Sequence, residues 1–254
     1  SLKKGLQMSA KSSVLLSIIS LIIAVLALWK AYTPGNEALS MPENIGAQVE
    51  AAIQENPEMI LKAITALTKK QEQKAVGAQK KELTKNKKAI FEDASDPTAG
   101  NPDGDVTLVE FFDYRCGYCR RAYGPLQEAV KTDGKVKIIY KEFPIFGGKP
   151  LLTQAALAAH KQGRYDDFHK ALMNSTGQLD QNDLDAIAEK LGLDVKKLKA
   201  DMQDPALIAE IEKNMEVGRS IGINATPTLI IGSEIYPGFL NVEQLHEAFK
   251  KARA

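Results

Sequence analysis

Two cysteines separated by two residues are the part of this sequence best suited to covalent chemistry. Cys116 and Cys119 are the only cysteines among the 254 residues, and they stand in the order Cys-Gly-Tyr-Cys. At this spacing one thiolate can attack a disulfide, and the other thiol can resolve the mixed disulfide that forms. The pair therefore predicts dithiol–disulfide exchange, with a redox-active disulfide between the two cysteines in the oxidised form.

Two other uses of such a pair stay open. Zinc takes four ligands, and the chain offers only His160, His169 and His246 beside the cysteines, none at ligand spacing from another. A structural disulfide is the second alternative, although closing so short a loop removes little chain entropy. We predict no metal site and favour a pair that cycles between dithiol and disulfide.

The elements on either side of the cysteines would position them. An apolar run, 106–112, predicts a buried strand, and residues 120–130 are compatible with a helix. The cysteines would lie at the start of that helix, where unpaired backbone N–H groups and the helix dipole favour an anion. Such settings lower a thiol pKa from about 8.5 into roughly the range 3.5–7.5. Cys116 is therefore predicted to attack and Cys119 to resolve.

The run from Asp105 to Arg120 resembles the active-site segment of the DsbA-type thiol:disulfide oxidoreductases, in the branch that includes the ScsC proteins. The likeness extends from about residue 96 to the C-terminus. It implies an α/β, thioredoxin-like fold with an inserted helical domain, and it implies no cofactor. The implied activity is dithiol–disulfide exchange on exported, cysteine-containing client proteins. A membrane redox partner, either a DsbB-like oxidant or a DsbD-like reductant, follows from the same resemblance.

The dipeptide between the cysteines leaves the direction of the reaction open. Gly-Tyr is what the isomerase DsbC carries, and the histidine of the best-known oxidase is missing. One source of thiolate stabilisation is therefore absent, so oxidase and isomerase remain alternatives. A bifunctional enzyme fits both.

A proline enters the apolar strand predicted at 225–231, where it removes a donor from the sheet. The resemblance implies that the bond between Thr226 and Pro227 is cis and faces the cysteines. The neighbouring backbone would then pair with an extended substrate chain. By the same resemblance, Gly117, Tyr118, Thr226 and Pro227 form the substrate-binding set.

Glu110 lies in the middle of the apolar strand, where burial should raise the pKa of its carboxyl. One interpretation is that strand alternation or a lysine satisfies it, with Lys141 and Glu142 as candidate partners. The other, supported by the resemblance, is proton exchange with Cys119.

Three polar residues, Asp113, Tyr114 and Arg115, are predicted to lie at the mouth of the site. Arg115 and Arg120 would favour a thiolate at Cys116, and Asp113 would oppose it. The sign of their sum stays open.

Composition and the N-terminus bound the class of protein. The net charge is +1, and two cysteines are too few for a disulfide scaffold. Lysines precede an apolar run at 14–29, which at ~1.5 Å per residue spans about 24 Å, short of a bilayer core. Residues 1–30 therefore predict a membrane-targeting segment, either a cleaved signal peptide or an anchor. Both place the cysteines in the periplasm, which makes nucleic acid an improbable partner.

A linker at 31–45 and a helical region at 46–92 are predicted next. Ile45, Val49 and Ile53 form one apolar stripe, and Ile60 and Ile64 continue on a second helix after Asn-Pro-Glu. These helices predict a homo-oligomer through residues 46–70, a dimer with a trimer as the alternative. Packing back on their own domain is the other interpretation. Residues 69–88 carry eight lysines and predict a solvated spacer.

The catalytic domain is predicted at 105–254, after a second linker at 93–104. A second core strand at 135–140 precedes a helical insertion at about 150–222, in which His160 and His169 are packing or surface residues. Gly232 begins a hairpin turn, and Asn241 caps a last helix.

Two rival functions use the same features differently. The cysteines could be soft ligands of a copper- or zinc-binding periplasmic protein. Alternatively, the helical arm could be the functional part of a membrane-tethered adaptor.

Overall fold

The computed structural model describes residues 45–147 and 149–254. The targeting segment predicted at 1–30, and all but the last residue of the linker predicted at 31–45, lie outside these ranges. Within the described ranges, no helix combines the length and the apolar character that a membrane span requires.

The chain divides into two units, Ser1–Thr68 and Lys69–Ala254. In the first unit the described residues form helix α1 (Ile45–Glu55) and the beginning of helix α2 (Glu58–Lys85). The predicted break at Asn56 and Pro57 is confirmed. Apolar side chains of both helices are exposed, one on α1 and five at the start of α2: Val49, Met59, Ile60, Leu61, Ile64 and Leu67.

The second unit is built on a five-stranded sheet of order β1-β3-β2-β4-β5. Strands β2 and β3 are parallel, and every other neighbouring pair is antiparallel. The strands are β1 (Thr98–Gly100), β2 (Val106–Phe112), β3 (Val136–Glu142), β4 (Thr228–Ile231) and β5 (Glu234–Pro237).

Helices cover both faces of this sheet and fill the connection between β3 and β4, as the resemblance implies. The sequence does not predict a separate helix at 195–201, because Leu198 is its single buried residue and the lysines around it obscure an apolar pattern. The remaining helices are α3 (Lys87–Phe91), α4 (Gly117–Asp133), α5 (Leu151–His160), α6 (Tyr165–Met173), α7 (Gln181–Lys190), α8 (Val195–Asp201), α9 (Pro205–Ser220) and α10 (Val242–Ala252).

Strand β1 corrects the prediction of a linker at 93–104. Thr98 pairs with Ile139 and Gly100 with Lys137, so this segment extends the sheet rather than leading to it. Three residues, Thr-Ala-Gly, are too few to show the alternation that identifies a strand.

The polar stretch at 69–88 is not a wholly solvated spacer, which corrects a second prediction. The side chain of Leu83 is buried, and Gln79 Nε2 donates to the carbonyl oxygen of Ile221 at 3.0 Å. Lys80 Nζ lies 3.0 Å from a carboxylate oxygen of Glu234. One apolar and two polar contacts therefore attach the end of α2 to the rest of the second unit.

Alternation along β2 and β3 separates two apolar clusters. Leu108 and Phe112 point into the larger cluster, with α4 and the inserted helices, whereas Val109 and Phe111 point into the smaller one. Leu83 and Ile90 from the segments before the sheet belong to the smaller cluster. Both faces of the central strands are thus dry.

The C-terminal elements follow the predictions. Gly232, at φ 62°, begins the tight turn between β4 and β5, a backbone angle that favours glycine. Asn241 and Gln244 form a reciprocal capping box at the start of α10.

Candidate redox site

Cys116 is the N-cap of α4, with extended backbone angles of φ −79° and ψ 113°. Its N–H donates to the carbonyl oxygen of Asp113 at 2.9 Å, and its own carbonyl accepts from the N–H of Arg120 at 3.2 Å. The sulfur is therefore fixed at the positive end of the helix dipole, as the sequence predicts.

The loop before β4 meets Cys116 directly. The Cys116 thiol donates to the carbonyl oxygen of Thr226, with Sγ and O 3.2 Å apart. The bond between Thr226 and Pro227 is cis, as the resemblance implies. Gly238 supports the loop from β5, since its N–H donates to the carbonyl oxygen of Pro227 at 2.8 Å. Residues more than a hundred positions apart thus form one site.

Cys119 is fully buried, one turn into α4. Burial raises the pKa of its thiol well above the ordinary range, and the charges of Glu110 and Cys116 raise it further. A backbone hydrogen bond with Asp113 acts in the opposite direction. Cys119 therefore needs a base before it can act as a nucleophile.

Glu110 is the candidate for this base, because its carboxyl is buried close enough to affect the Cys119 thiol. Its side chain is buried on the face of the sheet that carries Cys119, and desolvation raises the pKa of its carboxyl to about 8. Its Oε2 atom has no hydrogen-bond partner among the residues the structure describes. A carboxyl group with this pKa can both hold and release a proton near neutral pH.

The candidate partners of Glu110 were wrong. Glu110 lies opposite Tyr140 in the register, so Lys141 points to the other face, where its Nζ binds Asp96 and the carbonyl oxygen of Ala89. Glu142 is on the same face as Glu110 but binds tyrosine hydroxyls. The error arose because proximity along β3 does not say which face a side chain takes.

Asp113 and Tyr114 are buried rather than at the mouth of the site, which corrects another prediction. The Asp113 carboxylate accepts from the backbone N–H of Arg115 at 2.8 Å and of Phe146 at 3.2 Å. These two hydrogen bonds to the Asp113 carboxylate stabilise the loop before Cys116.

A buried polar cluster lies behind that loop, and sequence reasoning missed it. Glu142 Oε1 accepts from the hydroxyls of Tyr114 at 3.0 Å and Tyr165 at 2.9 Å, while Tyr114 Oη lies 2.8 Å from His169 Nδ1. The Tyr114 hydroxyl therefore joins the Glu142 carboxyl to the His169 ring.

Burial controls the charge states in this cluster. It raises the pKa of the Glu142 carboxyl to about 8 and lowers the pKa of His169 to about 3. His169 is a packing residue, one of the two roles predicted for it: its ring stacks on Tyr165 with centroids 5.4 Å apart. Only Tyr114, two residues before Cys116, could have signalled this cluster in the sequence.

Exposed aromatic side chains lie in the motif and on two loops that contact the site. Tyr118 follows Cys116 in the motif and is 62% exposed, with the Arg121 guanidinium 4.2 Å from its ring centroid. Phe146 and Phe239 are exposed on two loops bonded to the site, one through Asp113 and one through the chain next to Gly238. These rings offer an apolar surface beside Cys116.

The part of the chain that the structure describes contains no preformed metal site. There, no three histidine, cysteine, aspartate or glutamate side chains are grouped as metal ligands would be.

Known proteins resemble this chain in sequence. A family model described as Thioredoxin (Thioredoxin_4) matches residues 92–251. Among curated proteins, the Na(+)/H(+) antiporter NhaA 1 of Salinispora arenicola is 26% identical over 162 residues, which are 63% of this chain and 25% of the antiporter. The chain thus spans about a quarter of the length of the first curated relatives it matches.

Solved structures share the same fold. A thioredoxin-like oxidoreductase from Silicibacter pomeroyi is 41% identical, with a TM-score of 0.63 over 66% of this chain and 98% of that one. The thiol-disulfide exchange protein alpha-DsbA2 from Wolbachia pipientis is 28% identical, with a TM-score of 0.64 over 69% and 96%. A linker-deleted variant of ScsC from Proteus mirabilis is 26% identical, with a TM-score of 0.66 over 87% and 98%. The chain therefore belongs to this thioredoxin family, and its structural neighbours are thiol:disulfide oxidoreductases of the DsbA and ScsC type.

Proposed function

We propose that this chain is a periplasmic thiol:disulfide oxidoreductase that acts on exported, cysteine-containing proteins. The observation that carries the proposal is the contact between Cys116 Sγ and the carbonyl oxygen of Thr226, at 3.2 Å, at the beginning of α4. One sulfur is thereby held at a helix N-terminus and against the cis-proline loop. The apolar segment at 14–29 supports export, and the likeness to exchange proteins supports the chemistry.

The reaction requires no group beyond the two cysteines and a proton acceptor. The Cys116 thiolate attacks one sulfur of a client disulfide, that S–S bond breaks, and the other client sulfur leaves as a thiolate. Cys119 then attacks Cys116 Sγ, which forms the enzyme disulfide and releases the second client sulfur. Two electrons pass from the enzyme dithiol to the client. Oxidation of a client dithiol is the same sequence reversed.

Glu110 supplies the proton step. The buried Cys119 thiol loses its proton to the Glu110 carboxylate as it attacks, and in the oxidising direction Glu110 returns a proton to the departing Cys119 sulfur. Because the pKa of the Glu110 carboxyl is about 8, its protonated and ionised forms are both accessible near neutral pH. Glu110→Gln should therefore slow resolution of the mixed disulfide and leave its formation unchanged. Glu128→Gln, an exposed change on α4, is the matched control.

Trapping tests the roles of the cysteines. Cys119→Ala should accumulate covalent complexes with client proteins, because the mixed disulfide on Cys116 can no longer be resolved. Cys116→Ala should form none. Non-reducing electrophoresis followed by reduction reads both results, and equal trapping by the two variants would refute the assignment.

The direction of the reaction and the recycling partner are linked. The equilibrium of the Cys116–Cys119 disulfide with glutathione measures the redox potential. A strongly oxidising value selects an oxidase recycled by a DsbB-like oxidant, whereas a more reducing value selects an isomerase kept reduced by a DsbD-like partner.

We further propose that residues 46–70 associate copies of the chain into a dimer, with a trimer as the alternative. The exposed apolar side chains of α1 and the start of α2 support this, because they need a partner surface. Deleting 46–70 should abolish self-association in light scattering and retain dithiol exchange. The deletion must end before Gln79, since Leu83 and its neighbours pack on the rest of the second unit.

A further inference from the structure

A cavity opens beside the redox site, on the side of the inserted helices. Its volume is about 400 Å³, and residues from four segments line it: the loop before Cys116, the first turns of α4, the chain that leads into the beginning of α5, and the loop after α6. Arg115 precedes Cys116 in sequence, and Arg120 donates its backbone N–H to the carbonyl oxygen of Cys116. The cavity therefore lies beside the N-terminus of α4, where Cys116 is the N-cap.

The lining is cationic. Arg115, Arg120 and Lys149 contribute three positive charges, and Asp113 is the single acidic residue among the described residues that line the cavity. The Asp113 carboxylate is buried and already accepts two backbone N–H groups. It also lies 4.0 Å from Nε of Arg115, so it offsets one of the three charges. Two positive charges remain toward the cavity.

The arginines are held in place rather than free to turn away. The Arg115 guanidinium donates to the carbonyl oxygen of Gly147, and Arg120 Nη1 donates to that of Ser175 at 3.3 Å. Each guanidinium has further N–H groups that these bonds do not use. These carbonyl contacts orient the cations without neutralising them, and Asp113 offsets part of the charge of Arg115, so a further carboxylate can gain a charge-assisted hydrogen bond here.

We propose that this cavity binds a carboxylate carried close to the reacting sulfur of the substrate. This rests on the proposed function, and it names a substrate class: thiols and disulfides with an acidic group within a few residues of the cysteine. An extended client chain that crosses Cys116 advances at most about 3.6 Å per residue, so such a side chain can reach the neighbouring cavity while the cysteine reacts. The carboxylates of glutathione offer the same chemistry in a small molecule.

Matched peptide substrates test the inference. Disulfide peptides that differ only in Glu, Gln or Lys two residues from the cysteine are compared by kcat/KM. The glutamate peptide should be preferred over the glutamine peptide by about three- to tenfold, and the preference should shrink in 1 M salt. Glutathione disulfide and its fully esterified form, which has no carboxylates, make up the second arm.

Variants separate the cavity from the rest of the surface. Lys149 is exposed, so Lys149→Gln should fold normally and should reduce the glutamate preference, the ratio of kcat/KM for the two peptides, to less than about twofold. Lys149→Glu should reverse it in favour of the lysine peptide. Lys190→Gln, an exposed change on α7, is the control and should change nothing.

The outcomes distinguish this inference from the proposed function. Turnover of all peptides without a glutamate preference, together with equal rates for glutathione disulfide and its ester, would overturn the inference alone. A preference in only one arm identifies the source of the carboxylate. Absence of turnover would count against the proposed function. Anisotropy of the same peptides with serine in place of cysteine then compares their binding without any chemistry, and equal binding would overturn the inference.

Discussion

The two faces of the β2–β3 pair bury ionisable groups in opposite ways. On the face toward the redox site, Glu110 and Glu142 are buried without a cation, and the pKa of each rises to about 8. On the other face Lys141 and Asp96 form a fully buried ion pair. On the first face, burial favours the protonated form of the two carboxyls. On the second face, the ion pair connects the chain before β1 to the sheet.

The difference follows from what each face contacts. Lys141 reaches the carbonyl oxygen of Ala89 in α3, so the pair secures a helix end that lies before the sheet. Burial still raises the pKa of Asp96, to about 6, because desolvation outweighs the lysine. Glu110 Oε2 has no hydrogen-bond partner among the described residues, and Glu142 has only hydroxyl partners, so desolvation dominates at both carboxyls. The face that buries Glu110 and Glu142 disfavours ions, so it is the face suited to a group that exchanges protons.

The largest effect should come from breaking the ion pair. Lys141→Met leaves Asp96 buried without its cation and should destabilise the fold by about 3–5 kcal/mol at pH 8. The loss should be smaller at pH 5, where Asp96 takes up a proton. Denaturant unfolding measures both. Lys137→Met, on the same strand but half-buried, is the control, and an equal loss there would show that the pair has no special role.

The next effect concerns the opposite face and depends on pH. Glu110 binds its proton more tightly when folded, with a pKa of about 8 against 4.5 for the free group. The folded state therefore loses stability relative to the unfolded state as pH rises from 4.5 to 8. Glu110→Gln should remove about 3 kcal/mol of this loss between pH 5 and 8. If the stability of the variant fell with pH as steeply as that of the parent protein, Glu110 would be ionised and stabilised by an unseen partner.

Tyr114→Phe should have a smaller effect. The change removes the hydroxyl that bonds both Glu142 and His169, at a cost of about 1–2 kcal/mol by thermal unfolding. Tyr236→Phe, half-buried on β5, controls for the loss of a hydroxyl. Equal costs for the two would contradict the role given to the cluster.

The smallest effect is expected outside both faces. The ion pair between Lys80 and Glu234 is exposed, so Lys80→Ala should change the free energy of unfolding by less than about 0.5 kcal/mol. A loss above 1 kcal/mol would mean that the end of α2 holds the domain together more firmly than its contacts indicate.

The sequence predicted the parts that depend on local pattern. The strand before Cys116, the N-cap position of the sulfur and the burial of Glu110 all follow from apolar alternation and helix-end chemistry. The cis bond at Thr226 required the family resemblance, because the residues alone give it a low prior.

What could not be predicted depends on pairing between distant segments. Strand β1 exists because β3 offers it an edge, and the partner of Lys141 is Asp96 because of register. Leu83 is a single apolar residue in a charged stretch, and only the fold shows what it meets. Such contacts leave no periodic pattern of residues in the sequence.

Asp113 links the reacting sulfur to a distant loop through one residue. Its carbonyl oxygen holds the N–H of Cys116 and its carboxylate holds the N–H of Phe146. A change in the bonding of that sulfur is thus transmitted across a single aspartate to an amide well outside the motif. The nitrogen resonance of Phe146 should therefore serve as a built-in gauge of whether the enzyme is reduced, oxidised or occupied.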